Sequence, residues 1–204
     1  MIKTPAIYLS AVILALALTA CSHMPISTMA KMVTLDETKI NPIAGNYAFR
    51  LPNNVQMAQG QPVVTISLTA TATQPAVSET FIMQKVSAPL SSKHLLSQVK
   101  VGRHIDVYKF SQKDQAIANT LRPRIRKMQI EKNSQKNGRG RVQMKFALCT
   151  TTNVTIHDTV GNVYIQLNPQ DDFLTLLQDV NFLEYTNKNS KIKFAKDKSL
   201  PSCK

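Results

Sequence analysis

The chain has 204 residues, which suffice for one compact domain or two very small ones. It contains no Trp, five Tyr and seven Phe, and this composition argues against a broad aromatic sugar-binding platform. The net charge of +13 points to anionic partners.

The first twenty-one residues have the organisation of a bacterial export signal. Lys3 gives a positive start, residues 11–18 are apolar, and small residues precede Cys21. The sequence Leu18-Thr19-Ala20-Cys21 resembles the lipobox of bacterial lipoprotein precursors. The resemblance implies that residues 1–20 are a removed signal peptide and that Cys21 carries a diacylglycerol and usually a further acyl chain, such as palmitate. Two or more acyl chains anchor a protein stably in a membrane.

Two other interpretations of this segment remain. An ordinary signal peptide would leave Cys21 after the cleavage site by coincidence. A single-pass anchor needs roughly 20 apolar residues, whereas this run is shorter and Ser10 interrupts it. In the lipoprotein class, Ser rather than Asp after the cysteine is associated with the outer membrane. Ser22 therefore favours a lipid-anchored outer-membrane protein, which we expect to face the periplasm rather than the cell surface.

Residues 21–40 are expected to form a polar tether between lipidated Cys21 and a single α+β domain of residues 41–204. The segment contains Pro25 and little apolar periodicity. A flexible chain of about 20 residues has an r.m.s. span on the order of 25 Å, which would hold the domain clear of the lipid head groups.

Alternating apolar residues predict strands in the first half of the domain. Residues 62–73 place apolar side chains on one face and Thr and Ser on the other. That hydroxyl face is either ordinary solvent-facing sheet or a surface that bonds a partner backbone or glycan. Residues 80–86 are predicted to return as the next strand. A third strand is marked by Val99, Val101, Ile105 and Val107.

One hairpin and two helices are predicted farther along the chain. Residues 158–161 would turn between strands 152–157 and 162–168, because Gly161 can adopt positive φ. One helix would begin at Asn168 and Pro169, with one apolar stripe of Phe173, Leu176, Leu177 and Val180. The other would span residues 113–121, with Ile117 and Leu121 inward, and end at Pro123. The predicted fold class is α+β with a mainly antiparallel sheet.

The cysteines predict one disulfide. If Cys21 is lipidated, Cys149 and Cys203 remain as an even pair in an oxidising compartment. Residues 142–148 alternate onto one apolar face, so Cys149 is expected to point the opposite way, within reach of the C-terminal tail. No CxxC spacing occurs, which argues against a metal site, and no cofactor is expected.

The positive charge is concentrated in two segments. Residues 122–145 carry nine cations against Glu131, and residues 188–204 carry six against Asp197. Residues 133–140 are turn-forming, so several of these cations are expected on an exposed loop. The candidate contacts to an anion or a protein partner are Arg122, Arg124, Arg126, Lys127, Arg139 and Arg141. The alternative is a solvated surface typical of basic periplasmic proteins.

The expected location in the cell envelope argues against nucleic acid as the partner of these basic segments. The sequence also lacks an aromatic-plus-glycine motif on which bases could stack. Lipopolysaccharide, anionic glycans and acidic proteins remain.

The sequence offers no catalytic signature. HExxH, GxSxG and glycine-rich phosphate motifs are absent. His94, with Ser92 nearby and Asp106 downstream, can be drawn as a triad, but any chain of this length offers such a combination by chance. His104 and Asp106 are expected to share a strand face, and His157 to lie at the hairpin turn. We therefore expect a protein that is not an enzyme.

The stretch of residues 153–164, Asn-Val-Thr-Ile-His-Asp-Thr-Val-Gly-Asn-Val-Tyr, resembles a hairpin of type II secretion pilotin lipoproteins. These are α+β proteins with a disulfide that escort secretin subunits to the outer membrane. This chain is longer than a typical pilotin and its cysteines bracket the hairpin differently.

Three functions follow as hypotheses. The first is a non-enzymatic protein-binding or assembly factor of an envelope apparatus for secretion, pilus formation or conjugation. The second is a surface-displayed lipoprotein that binds anionic glycans or host molecules. The third is a cell-wall hydrolase.

Overall fold

The computed structural model describes residues 23–34, 44–60, 62–70, 75–86, 92–132, 140–152, 159–184 and 200–203. The helices are α1 (Ile26–Thr34), α2 (Lys93–Ser97) and α3 (Gln112–Lys132). The strands are β1 (Asn46–Pro52), β2 (Val55–Met57), β3 (Val63–Leu68), β4 (Val77–Ile82), β5 (Gln84–Val86), β6 (Arg103–Lys109), β7 (Gly140–Lys145), β8 (Leu148–Thr150), β9 (Val160–Gln166) and β10 (Leu174–Asn181). Within these ranges, no helix has the length and apolarity needed to cross a bilayer.

The strands form three antiparallel sheets. The largest has the order β10-β9-β1-β6-β5, the second has the order β4-β3-β7, and β2 pairs with β8. This arrangement confirms the predicted α+β class with mainly antiparallel pairing.

The main core lies on one face of the five-stranded sheet. Side chains alternate along a strand, so β1 points Tyr47, Phe49 and Leu51 into this core. The Phe49 ring makes edge contacts with two other aromatic rings, Tyr108 at 5.8 Å and Phe146 at 6.0 Å between centroids. Residues from β3 and α3 pack into the same core, which joins the two larger sheets.

Strand β3 has the predicted two-faced pattern. Val64, Ile66 and Leu68 are buried. On the other face, the hydroxyl of Thr65 lies 3.2 Å from that of Thr80 on β4, and Ser67 makes an equivalent pair with Ser78. These cross-strand hydroxyl pairs satisfy one another.

The third predicted strand begins later than expected. Val99 and Val101 are exposed, and β6 starts only at Arg103. A turn precedes the strand, in which the Arg103 N–H donates to the Lys100 carbonyl at 3.1 Å and Gly102 has φ of 74°. A turn with positive φ cannot continue a strand, and this separates the two valines from the sheet.

The predicted helix over residues 169–180 is wrong, because residues 174–180 lie in strand β10, which ends at Asn181. Its pairing with β9 has register shifts between Thr175 and Leu177 and between Leu177 and Val180. Asp179, beside the second shift, has φ of 50°. A bulge adds a residue to one strand and reverses the alternation. Two irregularities therefore produce the three- and four-residue apolar spacing that normally indicates a helix.

The predicted hairpin at residues 158–161 is also wrong. Gly161 lies inside β9, which pairs with β1 and β10, whereas β8 pairs with β2. Gly161 does not have positive φ; glycine is needed there for close packing, since a Cβ atom would lie 2.6 Å from Cε2 of Phe182. Residues 153–158, which carry the rest of the pilotin-like stretch, lie outside the described residues.

Pro123 does not end the helix predicted over residues 113–121. Helix α3 runs through it to Lys132. Ile117 and Leu121 pack against the core as predicted, and Ile125 continues the same stripe one turn later. An internal proline costs about 3 kcal/mol in a helix. We attribute the continuation of α3 to this packing on both sides of Pro123.

Regular structure also replaces part of the expected tether. Residues 26–34 form helix α1, and Thr28 is 3% exposed. Its hydroxyl donates to the Thr175 carbonyl of β10 at 2.8 Å. Just before the helix, the Gln178 N–H donates to the His23 carbonyl at 2.7 Å. The segment before the domain is thus attached to the edge of the five-stranded sheet at His23 and Thr28.

Candidate functional site

The outer face of the five-stranded sheet carries a small apolar cluster bordered by hydrogen-bonded polar side chains. Ala48 of β1, Val107 of β6 and Tyr164 of β9 form a small apolar cluster on this face, beneath Leu95 of helix α2. The segment that leads into β10 completes the cover with Phe173.

Helix α2 is fixed to the start of β10 by hydrogen bonds. The Ser92 hydroxyl caps the helix by accepting the Leu95 N–H at 3.1 Å and also donates to the Asp172 carboxylate. Asp172 accepts the His94 N–H at 3.1 Å as well. The hydrogen bond from Ser92 is the main factor that lowers the pKa of Asp172; burial opposes it, and backbone N–H groups assist it.

The His94 ring also contacts β10 and packs against β9. Its Nε2 lies 2.9 Å from the Thr175 hydroxyl, and the ring packs edge-on against Tyr164 with centroids 5.7 Å apart. Asp106 lies on the opposite face of the sheet, opposite Phe49 in the pairing. The residues that could be drawn as a triad are therefore not brought together.

An open cleft of about 500 Å³ lies beside α2. This volume falls within the range of small-molecule sites. Its polar lining includes Lys93, Lys109, Asp171, Asp172, Asn46 and Gln166. Charges of both signs face this space, so its electrostatics do not select one class of ligand.

A buried arginine lies on the same outer face. Arg50 is 6% exposed, and its Nη1 donates to the carbonyl and the side-chain oxygen of Gln98, each at 3.2 Å. Its Nη2 donates to the Asn162 amide oxygen at 3.0 Å, and the same oxygen accepts the Asp179 N–H at 3.2 Å. These charge-assisted hydrogen bonds join β1, β9, the turn after α2 and the bulged part of β10.

Tyr164 extends this polar group. Its hydroxyl donates to the side-chain oxygen of Gln98 at 3.3 Å. Burial raises the pKa of Tyr164, and the positive charge of Arg50 partly opposes this effect. Sequence patterns did not predict this group, although Arg50 lies inside the apolar run Tyr47–Leu51, where an arginine is unusual.

An ion-paired group lies on the core side of the sheet, near its β5 edge. Asp106 is 7% exposed and pairs with Lys85 at 2.8 Å and with Nε2 of His104 at 3.5 Å. The shared strand face of His104 and Asp106 is thus confirmed. Burial raises the pKa of Asp106, but the hydrogen bonds and positive charges of His104 and Lys85 together outweigh it and hold that pKa below its usual value.

This ion pair predicts an acid-dependent loss of stability. Replacing Asp106 by Asn should lower the free energy of unfolding by about 1–2 kcal/mol at pH 6, because Lys85 is largely exposed and water screens the pair. The folded-state pKa lies below the unfolded value, so the contribution is present above about pH 4 and disappears as the pH falls through the folded-state pKa.

Urea unfolding of both proteins at pH 6 and pH 3 checks this expectation, and the difference between them should shrink in acid. A difference that is the same at both pH values would contradict it.

The predicted basic contacts lie on two elements. Arg122, Arg124, Arg126 and Lys127 belong to helix α3, and Arg141 lies in β7 opposite Ser67. Arg139 lies outside the described residues. Four of these cations are therefore carried by a regular helix. The exposed loop expected at residues 133–140 stays a prediction, because residues 133–139 lie outside the described residues.

Arg124 has a structural role in this group. Its Nη2 donates to the carbonyls of Thr69, at 3.4 Å, and Pro75. These carbonyls flank residues 71–74, so Arg124 fastens α3 to the end of the β3–β4 pair. Its Nε is buried without a hydrogen-bond partner among the described residues. The other predicted contacts stay predictions.

The predicted disulfide is present. Cys149 and Cys203 are bonded, with Cα atoms 4.9 Å apart. Two backbone hydrogen bonds reinforce the link: Thr150 N–H to the Pro201 carbonyl at 2.8 Å, and Cys203 N–H to the Thr150 carbonyl at 2.9 Å. Cys149 is only 6% exposed, so the C-terminal segment covers it. Cys21 lies outside the described residues.

Within the described part of the chain, no three His, Cys, Asp or Glu side chains are grouped to hold a metal ion. No family model, curated protein or solved structure matches the chain.

Proposed function

We propose that this chain is an exported, lipid-anchored and non-enzymatic binding protein of the bacterial outer membrane. The observation that carries the proposal is the Cys149–Cys203 disulfide together with Leu18-Thr19-Ala20-Cys21. Disulfides persist mainly in oxidising compartments. The bridge uses both cysteines other than Cys21 and leaves that residue for the lipid.

The proposed partner is an acidic protein of an envelope assembly. Helix α3 has five cations and one acid over residues 122–132, which makes one element strongly positive. A dense positive surface attracts acidic partners and increases the rate of encounter. A membrane anchor confines the domain to a surface and raises its effective concentration near membrane-bound partners.

The test compares the full chain with its Cys21→Ser variant in cells supplied with labelled palmitate. The wild type should carry the label, fractionate with the outer membrane and form crosslinks to envelope proteins in intact cells. The variant should carry no label, leave the membrane fraction and lose most of these crosslinks. Its Cys149–Cys203 disulfide should still form, which shows that the domain has folded.

Label on the variant, or none on the wild type, would overturn the lipid anchor. Equal crosslinking by both proteins would overturn tethering as the mechanism. Crosslinks only to lipopolysaccharide or another glycan would replace the protein partner with an anionic glycan.

A further inference from the structure

Helix α1 and the edge of β10 form a surface whose distance from the proposed anchor is limited by the covalent chain. The Gln178 N–H donates to the His23 carbonyl at 2.7 Å, and the His23 ring nitrogen Nδ1 lies 3.2 Å from the Gln178 carbonyl. His23 is therefore attached to β10 through both its backbone and its side chain.

Only Ser22 separates His23 from Cys21. An extended chain advances about 3.3–3.6 Å per residue, so the Cα atoms of Cys21 and His23 lie at most about 7 Å apart. The head-group region of one leaflet is about 5–8 Å thick. A lipid on Cys21 therefore keeps His23 at the level of the head groups, and the expected 25 Å tether cannot separate the domain from the membrane.

Helix α1 presents an apolar side chain on its solvent side. Thr28 faces β10 and is 3% exposed, whereas Ile26 is 78% exposed. Two positions along a helix are about 200° apart around its axis, so burial of Thr28 turns Ile26 away from the sheet. Ile26 follows Cys21 by five residues, which places the exposed apolar side chain close to the anchor.

We propose that the surface formed by α1 and the edge of β10 rests on the bilayer that holds the Cys21 lipid, with Ile26 inserted among the head groups. This inference depends on the lipid anchor of the proposed function. It adds a fixed orientation, in which the β10 edge of the five-stranded sheet faces the membrane and the β5 edge faces away. Interfacial segments of this kind bind through apolar side chains placed at the head-group boundary.

The absence of Trp from the chain allows a direct fluorescence test. Ile26→Trp places the single indole on α1. The matched control is Ile82→Trp, because Ile82 is also an exposed isoleucine, at 54%. Ile82 ends β4 and is followed, after Met83, by the first residue of β5. Four strand spacings of about 4.8 Å put the β5 edge about 19 Å from β10.

Both variants are expressed as the full chain, purified from membranes and reconstituted into phosphatidylethanolamine–phosphatidylglycerol vesicles containing brominated lipid. Mass spectrometry of each sample establishes whether Cys21 is acylated, and the intact disulfide establishes folding. Excitation at the red edge of the indole band avoids the five tyrosines.

The expected result is several-fold stronger quenching of the Trp at position 26 by brominated lipid, and several-fold stronger quenching of the Trp at position 82 by aqueous iodide. If Cys21 is acylated and lipid quenches both indoles equally, or neither, the orientation is overturned while the proposed function stands. If Cys21 carries no lipid, the proposed function fails and this inference fails with it.

Discussion

Replacing both Cys149 and Cys203 by Ala is expected to lower the free energy of unfolding by about 4 kcal/mol. The two residues are 54 positions apart, and a link across a loop of this length removes much conformational freedom from the unfolded chain. The link also holds Leu200, which is 7% exposed, in the main core. Loss of the bridge frees the C-terminal segment to leave the Thr150 backbone.

The measurement is urea unfolding with and without a reducing agent, in a Cys21→Ser background that removes the third thiol. The reduced parent protein should unfold at nearly the same urea concentration as the double alanine variant. The variant itself should not respond to the reducing agent. A parent protein whose unfolding midpoint is unchanged by reduction would contradict the expected contribution.

Replacing Gly161 by Ala should cost about 3 kcal/mol or more, at the upper end of the range for overpacked sites. The added Cβ would lie 2.6 Å from Cε2 of Phe182 and closer still to the Arg50 carbonyl oxygen. Arg50 is paired with Asn162 across β1 and β9, so its carbonyl cannot move away without disturbing this pairing. The loss of stability should be seen in thermal and urea unfolding.

Gly60→Ala is the matched control. Gly60 has φ of 73° and nothing within 4 Å of its Cβ position, so only backbone strain of about 1 kcal/mol is expected. Equal losses in the two variants would show that Gly161 is not in close contact with β1. They would favour the turn conformation that the sequence suggested for it.

The strands predicted best are those in which side chains alternate regularly and only one face is buried. Strand β3 shows this, because it has no bulge and packs on one side only. Its buried face of Val64, Ile66 and Leu68 could therefore be predicted from the sequence. The prediction for residues 174–181 fails because their register shifts arise from the pairing with β9, which the pattern within residues 174–181 does not show. Local sequence patterns cannot report an irregularity that a partner strand imposes.

The candidate site was predicted only where chemistry restricts the choice. Cys149 and Cys203 could be paired because assigning Cys21 to a lipid leaves two cysteines, which allow a single pairing. The hydrogen bonds of Arg50 with Gln98 and Asn162 span separations of 48 and 112 residues. The sequence around Arg50 therefore does not predict these partners. The sequence showed the run of cations, but it did not predict that they lie on a helix, because Pro123 was expected to end that helix.

The order of strands in the five-stranded sheet also has a consequence for the time at which the protein can fold. The central strand β1 pairs with β6 and β9, and Asn46 lies opposite Gln166, 120 residues later. Pairing between such distant segments slows folding, because a long loop must close before any contact compensates for the lost entropy. The amino-terminal half therefore cannot complete its central sheet until residue 166 has been synthesised. Under the proposed function, this delay would help the chain to leave the cytoplasm before it folds.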